Sequence, residues 1–100
     1  MYASTNRNNI WKELEQGFGT SKIRIIKHLI LNPQKTFTKY ALVKATGLRT
    51  SSVQKHLIIL LRIGWIRKHS FKPISYEANL QNRIVKEIHN LFQDVRTITR

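Results

Sequence analysis

The chain has 100 residues, 41% of them hydrophobic, with 18 lysines and arginines against five aspartates and glutamates, a formal charge of +13 and no cysteine. One domain with a modest core fits this length, and the lack of cysteine excludes disulfides, thiolate metal sites and thiol redox chemistry, as suits a cytoplasmic protein. The longest apolar run, residues 57–61, is five residues, far below the roughly eighteen of a membrane span, and the acid-bearing first twenty residues fit neither a signal nor a transit peptide.

The charge is unevenly spread. The acids are Glu13, Glu15, Glu77, Glu87 and Asp94, so none falls between Gln16 and Tyr76, an interval that holds twelve lysines and arginines. A compact unit so charged repels itself unless a polyanion neutralises it, which points to nucleic acid. A basic surface kept for solubility is the bland alternative. An anionic membrane fits less well, because the bases do not oppose an apolar face on one helix.

Residues 1–9 are polar and aperiodic. Ile10, Trp11, Leu14 and Phe18 recur at helical spacing and predict a short helix over 10–16, ended by Gly17 and Gly19, within an N-terminal segment 1–19. Thr20 and Ser21 are good caps for a helix carrying Ile23, Ile26, Leu29 and Ile30. That helix stops at Asn32-Pro33, because a residue before proline is pushed out of the helical region. Thr38 caps the next helix, with Leu42, Val43 and Ala45 as a narrow apolar stripe and Gly47 as a left-handed cap residue. Thr50 caps another, in which Val53, Leu57, Leu60 and Gly64 stack on one side. Residues 65–70 and 74–78 then read as strands joined through Phe71-Lys72-Pro73. Residues 80–97 predict a long helix within a C-terminal segment 80–100. There Ile84, Ile88, Leu91, Val95 and Ile98 form a heptad seam, widened on one flank by Val85 and Phe92.

The order helix, helix, turn, helix, hairpin predicts a mainly α (α+β) fold, a winged helix-turn-helix over residues 20–79 with a two-stranded wing and a coiled-coil-like C-terminal helix. Thr38, Gly47, Leu48, Ser52, Val53, His56, Leu57, Leu60, Gly64 and Ile66 closely resemble the winged helix-turn-helix of ArsR- and MarR-type transcription regulators. In that pattern a capping Thr opens one helix, a Gly-Leu turn follows, and a Ser/Thr-Val-x-x-His-Leu core builds the recognition helix. The segment 22–29 is similar to the family's first helix. The resemblance implies duplex-DNA binding with helix 50–63 in the major groove. The thiolate sensor of ArsR-type proteins has no counterpart in a chain without cysteine.

Helical geometry agrees with this division of faces. Advancing 100° per residue, Leu57, Leu60 and Gly64 fall within about 40° of Val53, while Lys55 and Arg62 lie nearly opposite. Ser51, Ser52, Gln54 and Lys55 are thereby candidates for base edges and nearby phosphates, with Arg49 and Thr50 just before them. Ile58 and Ile59 are odd on such a face; one is expected to be open to thymine methyls and the other covered. Lys39, Tyr40 and His56 are further DNA-binding candidates, and the wing offers Arg67, Lys68, His69 and Lys72 to backbone or minor groove. The alternatives stay open: Ser51 and Ser52 as first-turn residues satisfying loose amides, Lys39 and Tyr40 as solvated surface, and His56 as a packing residue.

No Gly-rich phosphate loop, Ser-His-acid set or His spacing for a metal is recognisable, so neither an enzyme nor a metal or cofactor site is expected. No small-molecule ligand is evident. The seam predicts a homodimer through Ile84, Ile88, Leu91, Phe92, Val95 and Ile98, with Trp11 and Leu14 packed alongside, because a lone apolar stripe has nothing else to cover it; the alternative is that it folds back on its own domain. Three roles remain: a sequence-specific regulator, presenting as a repressor at its sites; an architectural, nucleoid-associated or partition protein, similar to small archaeal chromatin proteins; and a protein-binding winged domain.

Overall fold

In the computed structural model, which describes the backbone of residues 7–98 and the side chains of residues 10–97, the local signals become five helices and one hairpin among the described residues. In chain order they are α1 (Arg7–Phe18), α2 (Thr20–Ile30), α3 (Lys39–Thr46), α4 (Thr50–Arg62), β1 (Ile66–His69), β2 (Ser75–Ala78) and α5 (Arg83–Ile98). The class is therefore α+β, mostly helical, with one two-stranded antiparallel sheet.

The core is organised around α2. Ile23, Ile25, Ile26, Leu29 and Ile30 are all buried, and full burial stabilises roughly 1.5–3 kcal/mol per such side chain. Ile25 falls outside the single stripe expected from spacing. It is covered because α2 packs against α1, α3, α4, α5 and β2 and so faces neighbours on more than one side. The cap of α2 also differs from expectation. Gly19 holds the N-cap position at φ 94° with no side-chain hydrogen bond, while Thr20 and Ser21 are already inside the helix. Gly19 N donates to Glu15 O and its carbonyl accepts from Ile23 N, so one residue both ends α1 and begins α2. A left-handed φ of that size strains any side chain, which favours glycine over Thr20 for the junction.

The sheet is short. Ile66, Arg67, Lys68 and His69 pair with Ala78, Glu77, Tyr76 and Ser75, and strands alternate faces, so Ile66 and Ala78 turn inward and are buried. The strands are trimmed by one or two residues from the ranges expected. One pairing has no counterpart in the sequence reading: Phe37 exchanges two backbone hydrogen bonds of 2.8 Å with Tyr76. It fastens the α2–α3 connection to the outer edge of β2.

Two asparagines join the hairpin to α5. The Asn79 side chain donates to Gly64 O at 2.9 Å, and Asn82 Oδ1 accepts from the amides of Ile84 and Val85. The second contact caps α5 and satisfies donors at its start. The helix therefore begins at Arg83, three residues later than the sequence suggested.

The face that α5 buries is a correction to the predicted seam. Val85, Phe92 and Val95 are inside the chain, at 0%, 1% and 3% exposure, and Phe92 meets Trp11 edge-on at 5.1 Å. Ile88 is half-buried at the border, while Ile84 and Leu91 are 56% and 43% exposed. Phe92 and Val95 are thus core residues of a single copy, out of reach of a partner. The reason is size: Phe92 has the most apolar surface to remove from water, and α1 and α2 present Trp11 and isoleucines to receive it. With Phe92 turned inward, Ile84 and Leu91 stand about 80 and 100° away on the outside, and Val95, although on their side of the helix, is covered. Ile98 lies outside the described side chains.

Candidate nucleic-acid interface

Helices α3 and α4 are joined by three residues, and each has a local reason for its conformation. Thr38 Oγ1 accepts from Ala41 N at 3.0 Å, capping α3. Gly47 stands at φ 73° and its amide donates to Val43 O, closing the helix in the left-handed conformation that glycine enters freely. Buried Thr46 donates its hydroxyl to Leu42 O at 2.6 Å and accepts from Leu48 N at 3.3 Å, which ties the turn to the helix. Arg49 then takes the N-cap position of α4 in extended backbone, without a side-chain cap. Thr50 is the first helical residue and is exposed.

The turn fixes how α4 lies. Val53, Leu57 and Leu60 are buried, so the opposite face looks outward: Ser51, Gln54, Lys55, Ile58 and Arg62 are exposed, and Ser52 and His56 are half-buried. Gly64 stands past the end of the helix rather than on its stripe. Ile58 is 50% exposed and Ile59 is half-covered, the split expected. From α3, Tyr40 projects at 77% exposure and Lys39 donates to Gln54 Oε1 at 3.2 Å. Lys39, Tyr40, Val43 and Thr50 line a shallow cavity of about 200 Å³. The structure therefore gathers Lys39, Tyr40, Thr50 and Gln54 on one side of the α3–α4 pair. It also occupies Lys39 and Gln54 with each other, so meeting a polyanion there requires that weak exposed bond to be exchanged.

His56 is tucked against the body. Its Nδ1 is buried without a hydrogen-bond partner among the described residues. Burial, and then the positive charges of Lys22 and Lys55, lower its pKa below the ordinary 6.5. Lys22, from the first turn of α2, is a cation that sequence spacing did not single out; only packing of α2 on α4 brings it near His56. His28 is lowered by burial too, with its ring 4.6 Å from that of Phe37.

The hairpin places its basic residues unequally. His69 Nε2 lies 2.6 Å from Glu77 Oε1, and Arg67 donates to Gln81 Oε1 at 2.6 Å. Lys68 and Lys72 are exposed and have no hydrogen bond or ion pair among the described residues. Of the four wing candidates, two are therefore already engaged within the chain. His69 is held by an acid one position beyond the acid-free interval.

A second cavity, of about 330 Å³, opens between α1, α2 and the end of α3. Its charged rim is internally matched: Arg24 pairs with Glu15 at 3.4 Å and Lys27 lies 4.0 Å from the Trp11 ring centroid. Among the described residues no helix is long and apolar enough to cross a membrane. No protein-family model, curated protein or solved structure matches the chain.

Proposed function

We propose that this chain binds double-stranded DNA as a winged helix-turn-helix and acts as a sequence-specific regulator of transcription. In this reading α4 enters the major groove and the β1–β2 hairpin is a wing on the neighbouring backbone or minor groove. One observation carries it: α4 turns Ser51, Gln54, Lys55, Ile58 and Arg62 outward, in a stretch of sequence with twelve bases and no acid. Short hydroxyl and amide side chains suit base edges, exposed isoleucine suits thymine methyls, and the flanking lysines and arginines suit phosphates. A homodimer belongs to the same proposal. Its contact is the outer stripe of α5, Ile84 and Leu91 with Ile88 at the edge, and its two-fold would set two copies of α4 about 34 Å apart, one helical turn of DNA.

The test is footprinting on genomic fragments at two salt concentrations. A regulator protects a few sites, each bound about 10³-fold or more over bulk DNA. If about six to ten phosphates are contacted, affinity drops about 10³- to 10⁵-fold between about 50 and 200 mM salt. Lys55→Ala weakens binding and reduces the salt slope by about one. A flat salt response overturns the reading, and protection spread over every fragment with little discrimination replaces the regulator with an architectural protein.

A further inference from the structure

The hairpin carries a residue that its charge does not explain. Strand pairing ends at His69 and Ser75, and all five residues of the connecting tip, 70–74, are exposed. Phe71 stands there at 81% exposure, the highest of the large apolar side chains described, with Ile74 at 46% three residues on. The base beneath this tip is anchored: Ile66 and Ala78 are buried, Phe37 is bonded to Tyr76 on both sides, and Asn79 is tied to Gly64 and Trp65. A hairpin so fastened cannot fold down to cover its own tip. Lys72 follows Phe71 directly, and Lys68 and Lys72 are both unpaired among the described residues. Two such cationic tips repel each other, so a second copy is a poor cover for the phenyl ring.

A polyanion with an apolar interior fits both features at once. Duplex DNA has one, the stack of base pairs, reached from the minor groove between rows of phosphates. Apolar side chains on minor-groove proteins enter such steps and kink the duplex by about 20–90°. We propose that Phe71 is a wedge: with α4 in the major groove, the hairpin tip reaches the adjacent minor groove and Phe71 inserts between neighbouring base pairs, while Lys68 and Lys72 take flanking phosphates and Ile74 lies against the opened step. The inference rests on the duplex-binding reading. It adds that the bound DNA is unstacked and unwound, and that base steps that open easily are preferred at the position of the tip.

The experiment uses the full chain on a closed-circular plasmid relaxed by a topoisomerase in its presence. Wild-type protein shifts the linking number in proportion to the amount bound. Phe71→Ala, whose tip touches nothing in the core, melts as wild type and keeps the salt slope of binding. It binds about tenfold more weakly, within the range that ring–base stacking supports, and leaves the linking number unchanged. Phe71→Trp restores the shift. A Phe71→Ala protein that unwinds as well as wild type overturns the wedge, as does wild-type protein that binds without unwinding; in both cases duplex binding itself survives. Wild-type protein that ignores the plasmid in dilute buffer, or binds phosphatidylserine vesicles instead, overturns the duplex-binding reading along with the wedge.

Discussion

His56 shows what one position in a basic protein costs. A protonated imidazole carries an N–H on both ring nitrogens, and here Nδ1 is buried with no acceptor among the described residues. Protonation would bury an unsatisfied donor and add a charge near Lys22 and Lys55, so the folded chain holds the ring neutral. The sign of the pH dependence follows. The unfolded ring takes its proton near the ordinary 6.5 and the folded ring only at lower pH. Between those values the unfolded chain binds more protons. Stability is therefore constant, as far as this group goes, above about 6.5 and falls as pH drops through it, levelling off once the folded ring is protonated as well. His28, lowered by burial, acts in the same sense. Urea unfolding should give a lower midpoint at pH 5 than at pH 7.5. His56→Gln should flatten part of that difference, and an unchanged difference would refute the burial argument.

Among the elements, α5 is where local and tertiary signals part. Its apolar residues cover two adjoining arcs of the helix, and heptad spacing favours the seam of Ile84, Ile88, Leu91, Val95 and Ile98, with Val85 and Phe92 only on its flank. Packing against Trp11 and the isoleucines of α2 selects the second arc. Truncation separates the two. Phe92→Ala should destabilise by about 3–5 kcal/mol, the range for emptying a large aromatic from a core. Leu91→Ala, at 43% exposure, should cost much less in dilute solution. Chemical denaturation of both variants is the measurement, and equal losses would contradict the orientation of α5. The α3–α4 pair is the opposite case. Its cap at Thr38, its left-handed Gly47 and the buried Leu42, Val53, Leu57 and Leu60 are found where spacing puts them, whereas Ala45 is exposed with Thr46 buried in its place, and Arg49 rather than Thr50 holds the N-cap of α4.

For the whole molecule the governing quantity is a charge of +13 on a small body with an exposed apolar stripe along one helix. Self-repulsion of that size opposes association of bare copies, and the stripe favours it. Ile84→Asp places a carboxylate on the stripe without touching the core. If α5 pairs across a two-fold, this variant should sediment at half the mass of the wild type while melting at a similar temperature at low concentration. Wild type and variant sedimenting alike would remove the dimer from the proposal and leave the α4 surface to act in single copies.

The order of elements, the buried side of α4 and the concentration of bases around it are legible in the chain, because each depends on residues within a turn or two of one another. Gly47, Thr38 and the triad Val53, Leu57, Leu60 needed nothing distant. Long-range packing chose which arc of α5 turns inward, bridged Phe37 to Tyr76, set Lys39 against Gln54 and His69 against Glu77, and brought Lys22 near His56. The same holds for Phe71, which reads as an ordinary turn residue until the structure leaves it 81% exposed on a hairpin anchored at its base. The physical reason is common to all of these: periodicity specifies the faces of an element, but the partner each face meets is set by competition among surfaces far apart in the chain, and the largest burial wins.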